Sequence, residues 1–110
     1  MNKIMLIGRL CNDVELKTIN EKGTKVGTFS IAVQKPYKNE EGKYDADFFN
    51  VVVWEQTAEN LVKFTKKGDQ VAVTGRLQNR SYEAQDGTKK YITEIVAENI
   101  TYLNSKKEEE

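Results

Sequence analysis

Apolar and polar residues alternate over most of this chain, and a period of two predicts strands. The central strand is Asp47–Trp54. Phe49, Val51 and Val53 form a uniformly apolar row suited to a core. Phe48, Asn50, Val52 and Trp54 form the second row, with a large ring near each end. A strand that buries one face is usually polar on the other. These two rings therefore either lie beneath another element or form a platform for flat ligands, and the function turns on which.

The same alternation organises the rest of the chain. Lys3–Leu10 reads as a strand with Ile4, Leu6 and Leu10 on one face and Met5 and Ile7 on the other. Both faces then need cover, within the monomer or from a partner subunit. Gly8 suits close approach of a neighbouring backbone. Asn12-Asp13 reads as a turn, Val14–Thr18 as a short extended piece and Asn20–Gly23 as a loop. Lys25–Lys35 turns Phe29, Ile31 and Val33 one way and Thr28, Ser30, Ala32 and Gln34 the other. Pro36, which cannot donate to a ladder, suits the strand end. Beyond it, a hairpin arm carries Tyr37 and Tyr44 among Lys35, Lys38 and Lys43.

Helical spacing occurs once, over about Gln56–Thr65, where Ala58, Leu61, Val62 and Thr65 form a stripe and Gly68 is positioned to end the helix. Gln70–Tyr82 then alternates most cleanly. Val71, Val73, Gly75 and Leu77 make its inner row, and Gln70, Ala72, Thr74, Arg76, Gln78, Arg80 and Tyr82 its outer one, on which no acid lies. Asp86-Gly87 is a hairpin signal, with Lys89 and Lys90 after it and a return strand from Tyr91 to Leu103. Ser105–Glu110 reads as a polar, mobile tail, which leaves residues 1–104 as one domain. Five strands and a helix between the third and fourth predict an all-β fold with one helix: an OB-fold, a five-stranded Greek-key barrel.

Composition narrows the function. The chain has 110 residues, one cysteine and no histidine. A lone Cys11 forms no intrachain disulfide, and the missing histidine removes the commonest general base and metal ligand. We expect no cofactor and no metal. No apolar run is long enough to span a membrane and the start does not read as a secretory signal, so a cytoplasmic location is expected. The 17 basic and 17 acidic residues cancel, unlike many nucleic-acid-binding domains, so the placement of charge matters more than its sum.

A single-stranded nucleic acid presents flat bases that stack and phosphates that attract cations. A binder without sequence preference therefore interleaves rings with Lys and Arg. Tyr37, Tyr44, Phe48, Trp54 and Tyr82 are outward-facing or loop aromatics on this reading. Lys35, Lys38, Lys43, Arg76, Arg80, Lys89 and Lys90 lie near them, while Asp13, Glu15, Glu55, Glu59, Glu94 and Glu98 fall largely elsewhere; Glu40, Glu41, Glu83 and Asp86 are exceptions that dilute the arms. Each residue also has an ordinary reading. Trp54 is as readily a core residue, Tyr44 and Tyr91 suit strand packing, and Arg76 and Arg80 could pair with acids on a neighbouring strand. It is the co-occurrence on one face that favours the ligand.

From Asn2 to about Leu103 the chain resembles the bacterial single-stranded DNA-binding protein (SSB) family. The matching blocks are Asn2–Leu10, Phe29–Val33, Val51–Trp54, Lys66–Val71, Val73–Leu77 and the hairpin from Tyr82 to Tyr91. The resemblance implies stacking of bases on Tyr37, Phe48, Trp54 and Tyr82, with basic positions at Lys17, Lys67, Arg80 and Lys90. Other cationic positions of the family are Asn50, Gln56, Gln78 and Ser81 here. It also implies a homotetramer with first strands paired at a dimer interface, and a nucleoid-associated role in replication, recombination and repair. Family members usually continue into a flexible linker and an acidic tip that recruits repair enzymes, and such recruitment is not expected of the chain as it stands. Two other functions compete with this one. An OB-fold replication-restart accessory protein would use the same face for a protein, and a nuclease would hold a metal on Asp45 and Asp47.

Overall fold

A computed structural model describes residues 1–103; the expected tail from residue 105 lies outside them. The described elements are β1 (Ile4–Leu10), β2 (Glu15–Thr18), β3 (Lys25–Lys38), β4 (Tyr44–Trp54), the helix α1 (Glu55–Phe64), β5 (Gln70–Glu83) and β6 (Lys89–Tyr102). The strands run β1-β5-β6-β4-β3, and β1 pairs again with β3 through Arg9↔Ala32 and Leu10↔Ile31. That pairing closes a five-stranded ring. β2 continues along the same edge of β3, with Glu15 opposite Thr28, so β1 and β2 together act as one first strand. Neighbours are antiparallel except β4 and β6, which run parallel through Val51↔Ile95 and Val52↔Val96. This is the expected OB-fold barrel.

The predicted inner rows meet inside the ring. Leu10, Phe29, Ile31, Val51, Val53, Val71, Val73 and Ile95 are buried there, and Ala58 and Leu61 of α1 join them. Side chains three apart on a ten-residue helix share one narrow stripe, so Ala58 and Leu61 plug the barrel while Val62, expected to join them, stays exposed. The helix also ends without Gly68. Thr65, in an extended conformation, donates its N–H to the Leu61 carbonyl, and the Gly68 N–H donates across to Leu10.

Three further expectations are corrected. Phe49 and Leu77 sit on inner rows but are exposed, because β4 and β5 run on past the rim of the barrel and carry their inner faces into solvent. Tyr91, read as strand packing, is exposed for the same reason, close to the β5–β6 turn. The strand expected to end at Lys35 continues to Lys38. Its register shifts between Gln34 and Lys38, and this irregularity accommodates Pro36, which lacks the N–H that a regular ladder would use.

Close backbone approach tightens the ring at two glycines. A methyl group on Gly8 would stand 2.3 Å from the Ala32 carbonyl oxygen, and one on Gly75 would stand 2.1 Å from that of Val96. Gly75 also marks a register shift between β5 and β6. Both atoms struck belong to the backbone and cannot swing aside. Gly75→Ala is therefore expected to destabilise the fold by about 3 kcal/mol, read as a lower urea midpoint with an unchanged slope.

Candidate nucleic-acid interface

The register places the predicted outer rows on one continuous face. Across β3 and β4, Val26 stands opposite Trp54, Thr28 opposite Val52, Ser30 opposite Asn50 and Ala32 opposite Phe48. Lys17 of β2 stands opposite Val26, which gives a row of Lys17, Val26 and Trp54. Val52 is paired with Val96, and Val96 with Arg76. From there the outer row of β5 runs through Gln78 and Arg80 to Tyr82, which stands opposite Lys90. The face thus crosses β3, β4, β6 and β5 with rings at three of its borders.

Phe48 is 68% exposed and Trp54 40% exposed. Neither ring is core, which removes the ordinary reading of Trp54. Between them the surface sinks into a cleft of about 350 Å³, lined by Asn12, Thr28, Ser30, Asn50, Arg80 and Glu94 among others. Val52 belongs to its floor, which is why it is buried although its row faces away from the barrel core. Tyr82, also exposed, stands further along β5.

Local structure aims these groups. Trp54 is the last residue of β4 and the N-cap of α1, with no side-chain capping bond. The next residue, Glu55, has φ +53°, an uncommon conformation for a residue with a side chain. Glu55 Oε1 accepts the Lys25 N–H at 2.7 Å, tying this sharp turn to the start of β3. At the β5–β6 turn, Asp86 Oδ1 accepts the Thr88 hydroxyl at 2.6 Å and its N–H at 3.0 Å. These two bonds, the hydroxyl first, lower the Asp86 pKa. They brace the turn from which Lys90 and Tyr82 project. In the β3–β4 arm, Asn39 Oδ1 accepts the N–H groups of Glu41 and Lys43, shaping the tip that carries Lys38 and Lys43.

The candidate cations do not all remain unpaired. Lys35 donates to Asp47 Oδ1, and that bond raises the lysine pKa against a smaller opposing desolvation. Lys38 lies over the Tyr44 ring, 5.8 Å from its centroid, so that tyrosine already has a cation on one face. Arg80 Nε donates to Glu94 Oε2 at 2.9 Å. Among the described residues, Lys17, Lys43, Lys67, Arg76 and Lys90 form no ion pair. The Lys67 N–H donates to Asp13 Oδ1, next to the Asn12 that lines the cleft. Tyr37 is exposed on the arm beside Lys35 rather than in the row of Phe48 and Trp54.

Glu15 and Glu94, expected away from the cationic row, both line the cleft. Glu94 stands opposite Gln78 and is only 3% exposed. The signal was available. The β5–β6 pairs from Gln78↔Glu94 to Glu83↔Lys89 are symmetric about Asp86, so extending the Asp86-Gly87 hairpin backwards would have set Glu94 across from the outer row.

This is an OB-fold barrel whose outer face carries exposed rings and cations around a polar cleft. The chain belongs to the single-strand binding protein family, whose profile matches residues 1–103. It is 48% identical over 106 residues to single-stranded DNA-binding protein 3 of Listeria innocua, covering 96% of this chain and 66% of that protein. The chain thus spans just under two thirds of that relative's length. It is 47% identical over 108 residues to single-stranded DNA-binding protein 1 of Clostridium acetobutylicum, with 98% of both chains covered. Among solved structures, a Plasmodium falciparum SSB in complex with ssDNA superposes with a TM-score of 0.81 at 33% identity, covering 94% of this chain and 96% of that one.

The Lys35–Asp47 pair generates a pH prediction. Because folding raises the Lys35 pKa, its stabilisation is fully present below the ordinary lysine value and is lost as pH rises through the raised value. Asp47→Asn should return the Lys35 titration, followed by NMR at its Nζ or Cε, to the ordinary lysine range. Added salt should narrow the difference, since the pair is open to solvent.

Proposed function

We propose that this chain is a non-enzymatic binder of single-stranded DNA, acting without sequence preference to protect exposed strands during replication, recombination and repair. Residues 1–104 act as the binding domain. The observation that carries the reading is the single sheet face bearing Phe48, Trp54 and Tyr82, with Lys17, Arg76 and Lys90 in the same rows. Bases stack on the rings, each contact contributing ~1–3 kcal/mol irrespective of base. Lysines and arginines along the face and on the two arms, Lys38, Lys43 and Lys67 among them, neutralise phosphates and release counterions. Tyr37 extends the platform along the β3–β4 arm. The names of the relatives and the DNA in the Plasmodium complex support this ligand.

The nuclease alternative loses its carboxylates. Asp47 is engaged by Lys35, and Asp45 Oδ1 accepts from Asn39 at 3.1 Å. No group of metal-ligating side chains forms among the described residues.

The working unit is a homotetramer built on β1, located in the cytoplasm with the nucleoid. Support comes from β1 itself, whose second face bears Met5, 76% exposed, and a likewise exposed Ile7. A second copy of the same strand would cover this apolar pair. No helix of the described residues is long and apolar enough to cross a membrane.

Trp54 is the only tryptophan, so its fluorescence reports on one point of the platform. Titration with oligo(dT) should quench it at a fixed nucleotide-to-protein ratio. Trp54→Ala should weaken binding roughly ten- to a hundredfold with the fold intact. An unquenched signal together with no shift of the oligonucleotide in a gel would refute the proposal. Separately, the Met5→Glu, Ile7→Glu variant should elute as a smaller species than the wild type in light scattering. An unchanged mass would rule out assembly through β1.

A further inference from the structure

Glu94 is an anomaly on a face proposed to take a polyanion. Its side chain is 3% exposed, and its Oε2 accepts two bonds, from Gln78 Nε2 at 2.7 Å and from Arg80 Nε at 2.9 Å. Both donors belong to the outer row of β5 and both reach inward to the same oxygen. Arg80 nevertheless stays half-exposed, with a side-chain accessibility of 52%. The bond engages the inner edge of the guanidinium at Nε, leaving the outer end and a face of the group towards the cleft.

We infer that Glu94 makes Arg80 a base-facing surface of the cleft rather than a phosphate anchor. The inference rests on the single-stranded DNA reading above. Two physical arguments carry it. A fixed carboxylate at hydrogen-bond distance already supplies the counter-charge, so the pair presents almost no net field to a phosphate and holds no counterion to release. Phosphate at the outer end of Arg80 would also be repelled by the buried charge behind it. A nucleobase meets neither obstacle. Guanidinium planes accept stacked bases as aromatic rings do, and Arg80 lies two residues from Tyr82 on the same side of one strand. Arg80 thus extends the platform of Tyr82 into the cleft. Glu94, which the bases need not touch, is a positioning residue that fixes both the charge and the direction of Arg80. The free cations opposite and beyond, Lys90 and Arg76, remain to serve the phosphates.

The test is the slope of log affinity against log salt for oligo(dT), measured for the wild type, Glu94→Gln, the double variant Arg80→Gln with Glu94→Gln, and Lys17→Gln. Each phosphate contact on a single strand contributes about 0.7 to that slope, and Lys17→Gln calibrates the loss of one. The double variant removes both charges without leaving either one buried alone. Its slope should equal that of the wild type, while its affinity falls about threefold at every salt concentration because a stacking plane is gone. Glu94→Gln alone should steepen the slope by about 0.7, since the released Arg80 then binds a phosphate. A residue needed only for packing would change the melting temperature and not this slope. A double variant whose slope drops as it does in Lys17→Gln, or whose affinity is undiminished, overturns the inference, as does an unchanged slope in Glu94→Gln. Failure of the wild type to bind oligo(dT) would instead overturn the DNA reading itself.

Discussion

Ring closure is the constraint on which the rest of the molecule depends. A sheet of this size left open would twist freely and expose two edges. Here β1 returns to β3 at Arg9 and Leu10, and this return is possible only because Gly8 lets the Ala32 carbonyl come close. The ring fixes the relative tilt of β3, β4, β6 and β5. Side chains on their outer faces therefore stand at distances set first by the sheet, with the turns bracing its ends. Phe48, Trp54 and Tyr82 owe their common orientation to backbone register, which is a stiffer positioning device than a flexible connection.

The charge balance gains meaning from this geometry. A chain with equal numbers of acids and bases is an unlikely polyanion binder by its sum. Pairing redistributes the effective charge: Lys35 is offset by Asp47 and Arg80 by Glu94, while Lys17, Lys67, Arg76 and Lys90 keep theirs. The field at the face comes from a subset of the cations, and identifying that subset needs the register across strands. Lysine and arginine counts alone overstate it.

Period-two alternation made much of this legible beforehand. It turned Phe48, Trp54, Arg76 and Tyr82 outward correctly, because one row of each strand had to supply the core. It failed where the pattern continues and the barrel does not: Phe49 and Leu77 keep their apolar identity beyond the rim. Helical periodicity likewise does not say how wide a stripe a short plug needs, and so its pattern includes the exposed Val62. Glu94 falls away from the cations when the return strand is taken as a single run, and falls opposite Gln78 once the hairpin register is carried across. The expected tetramer came from family resemblance; the residues themselves offered only an unexplained apolar face.

The parallel junction of β4 with β6 has a consequence for how the chain reaches this state. Its registered pairs are Val51 with Ile95 and Val52 with Val96, and closure of β1 on β3 rests on two registered pairs as well. The β3–β4 and β5–β6 ladders, by contrast, join neighbours in sequence across short turns. Contacts between distant segments carry the larger loss of chain entropy, so local hairpins form early and remote seams late. The β3–β4 and β5–β6 ribbons are therefore expected to form before the barrel closes on its two thin seams. The same seams are the places where the barrel should first part, and amides along them should exchange their hydrogens sooner than those inside either ribbon.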